Sequence, residues 1–266
     1  MIEALLFGKA LAVVFIAMSG TLFLVTRVTL ISRSFFPCVK ETAHIYWVYS
    51  NMRLIRFIDR QLIISAILLF QYDRLVDRVV DEIRYSFIHG KTVLLTSCAF
   101  GDVIPKIVRA SVEGGAERIF ITDIIKNELI HARSKLGDFQ GKFELVEADA
   151  TCMKLDDAAV DINLVFFLLH ELPDQAKEHA MREAARVVSP GGKLIIVEFH
   201  QPRTWFMRLL GRLYFTVFEP FALAMWNHHD PVRTIEAMGG WTLNRATFFW
   251  GNFQIVVATK QLIELK

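Results

Sequence analysis

The sequence is short of cysteine, of net charge and of repetition, and each shortage excludes something. Three cysteines, Cys38, Cys98 and Cys152, lie far apart in 266 residues and are odd in number. That usage points away from a structural zinc site and toward a reducing compartment. The formal net charge is only +2, without the basic stripe of a nucleic-acid-binding protein, so no nucleic-acid partner is expected. No internal repeat or low-complexity tract occurs. Apolar residues are plentiful instead. Hydrophobic content is 53% and mean hydropathy +0.37, high for a soluble enzyme, which turns attention to membranes. The length allows one sizeable α/β domain plus an appendage of under roughly a hundred residues.

The stretch Thr92 to Asp123 organises the chain. Val93 to Thr96 are β-formers, and Ser97, Ala99 and Gly101 keep the following turn narrow. Asp102 stands where a helix N-cap belongs, and Pro105 is tolerated in a first helical turn. Ile107 and Val108 fit a buried helix face, Gly114-Gly115 stops the helix, and Ile119 to Thr122 form a second strand. The result is a βαβ unit about thirty residues long, closed by an acid. In nucleoside-binding folds such an acid accepts hydrogen bonds from ribose hydroxyls. The alternative reading of Asp123 is a helix N-cap. Glycine is scarce where it would be expected, because only Gly101 remains in a turn that usually carries several.

Downstream, residues 124–136 read as an amphipathic helix, and residues 141–150 as a third strand ending at Asp149. Ile162 to Glu171 is an apolar run suited to a strand buried on both faces. A helix start follows at Pro173-Asp174, a helix over Glu178 to Val188, a stop at Ser189 to Gly192, and a fifth strand reaching Glu198 and His200. Such alternation specifies an α/β fold with a doubly wound, mostly parallel sheet and right-handed crossovers. Ligands of such sheets bind beyond the carboxyl ends of the strands. That rule gathers Ser97, Cys98, Ala99, Phe100, Gly101, Asp123, Asp149, His170, Glu171, Glu198 and His200 at one edge. Residues 240–260 read as a closing β-hairpin with its turn at Trp250 to Asn252.

The first ninety residues differ. Residues 10–26 form seventeen positions without a charge, the short end of a membrane span. A buried core helix and a signal segment are the other readings, although no basic start precedes the run. Arg27, Arg33 and Lys40 follow it, which places the remainder on the cytoplasmic side. Residues 44–70 suit either an interfacial helix or a helix packed on the main domain. Leu75, Val79, Ile83 and Phe87 recur at helical spacing. The expected division is an N-terminal helical, membrane-associated region over 1–90 and a ligand-binding domain over 91–266.

Two stretches carry a family resemblance. Residues 147–172 (EADATCMKLDDAAVDINLVFFLLHEL) and 183–199 (EAARVVSPGGKLIIVEF) resemble the class I S-adenosylmethionine-dependent methyltransferases, quinone C-methyltransferases in particular. The resemblance implies a Rossmann-like methyltransferase fold. It implies that Asp123 and Ile124 hold the ribose side, that Asp149-Ala150 flanks the adenine, and that Ser97 to Gly101 lie under the methionine moiety. Two features depart from that pattern. Leu95 stands where such enzymes usually have an acid, and Ser97 and Ala99 stand where they have glycines. A narrower match, through CAFGDVIP, FFLLHELP, EFHQP and EPFALAMW, is similar to the rhodoquinone biosynthesis proteins, which are methyltransferase-like enzymes. This implies conversion of ubiquinone to an aminoquinone, with S-adenosylmethionine as amino donor and manganese (Mn2+) required. His170, Glu171 and His200 are the expected catalytic groups and metal ligands, since manganese takes oxygen donors with some imidazole. Plainer roles stay open: Glu171 as a helix cap, His170 and His200 as donors to backbone carbonyls. The dense aromatics of residues 202–230 read as core packing or as a lid over a polyprenyl quinone. His228, His229 and Asp230 could join the metal only weakly, because adjacent helical histidines point apart. Three functions remain: quinone amination, ordinary quinone methylation, and a non-catalytic quinone-binding or assembly subunit.

Overall fold

The computed structural model describes residues 31–33, 43–45, 49, 51–86, 88–219 and 221–262. A short antiparallel pair, β1 (Ile31–Arg33) and β2 (Ala43–Ile45), forms a sheet of its own. The main sheet contains β3 (Thr92–Thr96), β4 (Arg118–Asp123), β5 (Glu144–Glu147), β6 (Val160–Phe166), β7 (Val188–Phe199), β8 (Trp241–Phe248) and β9 (Phe253–Lys260). Its order is β5-β4-β3-β6-β7-β9-β8. The first five strands in that order are parallel, and the C-terminal hairpin adds two antiparallel strands beside β7. Strand order reverses between β3 and β6, so the crevice of this sheet opens beyond their carboxyl ends.

Alternation along each strand feeds two cores. Val93 and Leu95 face one layer while Leu94 faces the other. The first layer holds α1 (Met52–Ile58), α2 (Gln61–Ile67), α3 (Tyr72–Arg84), α4 (Val103–Glu113) and α5 (Lys126–Lys135). The second holds α6 (Asp174–Arg186) and α9 (Pro231–Met238). Between β7 and α9 run α7 (Trp205–Phe218) and α8 (Ala222–Asn227); Phe215 and Ala222 join the first core and Met225 the second.

Several expectations change. Residues 44–70 are not one interfacial helix. Within them α1 and α2 are separate, and their Ile55, Ile58 and Ile64 are buried against the domain. Leu75, Val79 and Ile83 of α3 are fully buried in the same core as β3, so residue 90 is not a packing boundary. Residues 10–26 and Phe87 lie outside the described residues. Among the described residues no helix is long and apolar enough to cross a membrane. Residues 189–192 do not stop a helix at its end. They belong to β7, where pairing jumps from Val160–Val188 to Ile162–Lys193 and Gly191 takes a φ of +79°. α6 runs unbroken from Asp174. Cys98 keeps a free thiol.

Candidate functional site

The turn between β3 and α4 is held from outside itself. Gly101 has a φ of +82°, and a Cβ there would stand 2.3 Å from the Tyr72 hydroxyl, so the position requires glycine. That hydroxyl accepts from the Val103 N–H at 2.8 Å and donates to the Phe100 carbonyl at 3.3 Å. The Gly101 N–H donates to Asp59, whose carboxylate is in turn gripped by His131 Nε2 at 2.6 Å and Lys135 Nζ at 3.2 Å. Lys135 also donates to the Gly101 carbonyl at 2.9 Å. Asp102 occupies the N-cap position but makes no capping bond; it pairs with Lys106 at 3.0 Å instead. Ser97 sits at a φ of +75°, a backbone region that glycine enters freely and serine does not. Leu95 is 3% exposed, so no acid reaches the crevice from that position.

The two acids expected at the strand ends are both buried there. Asp123 closes on the turn: Oδ2 accepts from the Cys98 N–H at 2.7 Å and the Ser97 hydroxyl at 3.2 Å, and Oδ1 accepts from the Ile125 N–H at 2.7 Å. Burial pushes its carboxyl up to about 6, against the pull of those hydrogen bonds. The ribose and capping readings of Asp123 are therefore compatible, since it fixes the first residues of the βα connection while standing at the crevice. Ile124, beside it, is half-buried. Asp149 Oδ1 accepts from the Thr151 N–H and hydroxyl, both at 2.8 Å. Its Oδ2 is buried without a partner, and half-buried Ala150 follows. An orphaned acceptor beyond β5 is what an adenine amino group would satisfy. The nucleoside end of S-adenosylmethionine thus fits the residues present.

The opposite side of the crevice is built on aromatic rings. β6 ends at Phe166, Phe167 turns with a φ of +50°, and a short 3-10 turn places His170 and Glu171. His170 Nδ1 lies 3.0 Å from Glu198 Oε1, and its ring meets Phe199 edge-on at 4.9 Å. Burial opposes a charged imidazole, but the Glu198 carboxylate outweighs it and raises His170 to about 9. His170 is therefore an imidazolium at neutral pH, paired with a side chain rather than a backbone carbonyl. Glu171 Oε1 accepts from the Tyr49 hydroxyl at 2.5 Å, and burial raises its carboxyl to about 7. Tyr49 also stacks on Phe100 at 5.9 Å, so it spans both walls.

His200 has the plainer role. Its Nδ1 donates to the Gly251 carbonyl at 2.8 Å and its Nε2 faces Arg245 at 3.4 Å; burial lowers its pKa. Asp230 caps α9 and pairs with Arg245, and His229 lies 3.5 Å from Asp174. Among the described residues no three His, Cys, Asp or Glu side chains assemble a metal site. The expected set of His170, Glu171 and His200 is corrected on that ground: the three are not assembled as a manganese site, and their respective partners are Glu198, Tyr49 and Gly251. Tyr49, Asp59, Tyr72 and Glu128 were not foreseen. Each acts across a gap in sequence that local spacing does not report.

With this geometry in place, comparison with known proteins narrows the field. The ubiE/COQ5 methyltransferase family model matches residues 58–230. A ubiquinone/menaquinone biosynthesis C-methyltransferase of Klebsiella pneumoniae is 35% identical over 115 residues, which are 42% of this chain and 44% of that protein. The match thus spans less than half of that relative's length. A solved S-adenosylmethionine-dependent methyltransferase from Aquifex aeolicus superposes with a TM-score of 0.56 at 18% identity, covering 79% of this chain and 98% of its own. The [4+2]-cyclase SpnF superposes at 0.53 with 15% identity, over 70% of this chain and 81% of its own. These superpositions speak for the fold alone, and a cyclase on the same scaffold means that the fold does not dictate the reaction.

Proposed function

This chain belongs to the ubiE/COQ5 methyltransferase family, and from that premise we propose that it is an S-adenosylmethionine-dependent transferase acting on a quinone ring. The carrying observation is the crevice at the strand-order reversal, with buried Asp123 on one strand end and the orphaned Asp149 Oδ2 on the next. The relatives' printed substrates support a ubiquinone- or menaquinone-type ring. When bound, S-adenosylmethionine supplies an electrophilic methyl group. On the reduced (hydroquinone) ring, whose unsubstituted carbon is nucleophilic, methylation would form the methyl–carbon bond, break the methyl–sulfur bond and release the proton of that carbon. Glu171, with its carboxyl held at about 7, is the base suited to that proton at neutral pH. The His170 imidazolium is the group suited to a quinone oxygen. Glu171→Gln should lower turnover by roughly 100-fold or more while cofactor affinity stays within a few-fold.

A second reading, placement of the cofactor's amine where a ring methoxy group leaves, is favoured by one observation. Leu95 removes the usual acid, and Ser97 replaces a glycine and holds Asp123. Both changes fall on the methionine side of the crevice. Incubation of S-adenosylmethionine, labelled in the methyl in one sample and in the amine nitrogen in another, with ubiquinone and separately with a reduced demethyl quinone that keeps a free ring C–H, separates the readings by product mass. Methyl label in the quinone supports methylation, amine label supports amination, and neither removes the quinone-transferase reading.

A lipid substrate calls for a membrane, and α7 has a surface suited to one. Trp205 (74% exposed), Leu209, Leu210 and Leu213 (59%) form its outward side, beside Phe206 and Trp250. Arg203 and Arg212 are exposed along it, complementary to an anionic bilayer. Residues 10–26 remain the proposed anchor, with the domain on the cytoplasmic side. Deleting residues 1–30 should shift the protein toward the soluble fraction. Leu209→Glu with Leu213→Glu should further weaken sedimentation with phosphatidylglycerol vesicles; unchanged sedimentation would remove α7 from the account.

A further inference from the structure

The first turns of α5 carry a buried acid that no described interaction uses. Glu128, His131 and Lys135 recur at helical spacing on the side of α5 that faces Asp59 and the turn at Gly101. His131 and Lys135 are bonded to Asp59 there. Glu128 lies one turn closer to the start of α5, next to the end of β4. It is 3% exposed, and its Oε1 is buried without a hydrogen-bond partner. Its charge is felt at Tyr49 and Cys98, and it in turn feels Asp123, Lys135, Glu171 and Asp59. The residue therefore borders the same space as the turn, the Tyr49 ring and the 3-10 turn of His170.

A carboxyl buried without a donor is costly, because its desolvation is not offset. The structure also lacks the acid that usually receives the cofactor's amino group, since Leu95 occupies that position. We infer that Glu128 takes over this task and receives the α-ammonium of the amino-acid end of the cofactor. The inference rests on the S-adenosylmethionine reading above. It supplies one missing donor to Glu128 and one missing acceptor to the ligand. Burial, with Asp123 adding to the rise and Lys135 opposing it, lifts the Glu128 carboxyl to about 9. The group is thus neutral in the free protein, and an arriving ammonium would favour its ionised form. Without such a ligand, Gln would serve the fold as well as Glu.

The test compares two ligands. S-adenosylhomocysteine carries the amino-acid end, whereas 5′-methylthioadenosine keeps the adenine and ribose and has no amine. Calorimetry on the full chain should give Glu128→Gln a roughly 10- to 100-fold loss for S-adenosylhomocysteine and less than a threefold change for 5′-methylthioadenosine. Equal losses for both ligands, or no loss for either, would overturn the inference while leaving the cofactor reading intact. If wild-type protein binds neither ligand, the cofactor reading itself falls. Glu128→Met provides a second variant with no carboxyl, and its melting temperature reports that it folds. It should show the same selective loss.

Discussion

The two halves of the crevice are built by opposite means. On the β3–β4–β5 side, polar groups are tied by hydrogen bonds: Asp123 takes three donors, and Asp59 links Gly101 to His131 and Lys135. On the β6–β7 side, His170 and Glu198 sit among Phe167, Phe199, Phe215 and Phe253, with ring centroids 4.9 to 6.1 Å apart. A nucleoside asks for directed acceptors, whereas a quinone ring asks for apolar walls with few polar groups. Under the proposed function, the contrast gives the cofactor to the first side and the quinone to the second. It also separates what holds the ligand from what holds the fold.

The largest effects should break the halves apart. His170→Ala leaves Glu198 fully buried beside an empty space, and stability should drop by about 3–5 kcal/mol, read by urea denaturation. Asp123→Ala should instead weaken S-adenosylhomocysteine binding by roughly 1.5–3 kcal/mol, read by calorimetry. If His170→Ala reduced cofactor affinity as strongly as Asp123→Ala does, the division of labour would be wrong.

The polar half was also the more legible in sequence. Strand–helix alternation and the acids at strand ends are local patterns, so Asp123, Asp149 and the Gly101 turn could be read directly. The partners of His170, Glu171 and His200 could not, because a strand end does not state which neighbour a side chain meets. His200 follows Phe199 at the end of β7, and the β7–β9 pairing brings it to Gly251. Arg53, Arg56 and Arg60 made residues 44–70 look interfacial. They lie on the exposed side of α1 and its flank, while Ile55 and Ile58 on the other side enter the core.

A smaller effect follows from four buried groups shared between the halves. Asp123, Glu171 and Glu128 are raised to about 6, 7 and 9, so each keeps its proton in the folded chain after the unfolded chain has lost it. Their stabilising contribution declines as pH rises from about 4 toward those values. His170, raised to about 9, acts in the same direction: its contribution is complete below about 6.5 and lost as pH rises through 9. The melting temperature of the ligand-free protein should therefore fall between pH 5 and pH 9. Glu128→Gln should flatten the slope, by on the order of 1–3 kcal/mol at pH 8. A rising or level profile would contradict the burial of these groups.

The smallest effect bears on Ser97, in the polar half. Ser97 at a φ of +75° costs about 1 kcal/mol relative to glycine, yet its hydroxyl reaches Asp123 at 3.2 Å. Two variants separate the terms. Ser97→Gly removes both the strain and the hydroxyl, so stability should change by less than about 1 kcal/mol. Ser97→Ala keeps the strained backbone and loses only the hydroxyl, so it should be less stable than either wild type or Ser97→Gly. Thermal denaturation of the three proteins orders them. If Ser97→Ala is as stable as Ser97→Gly, the left-handed backbone is not under strain and serine needs no compensating role. If the predicted order holds, the hydroxyl bond to Asp123 offsets the strain. The same three proteins, given methyl- and amine-labelled S-adenosylmethionine, then test whether that bond selects which group the crevice transfers.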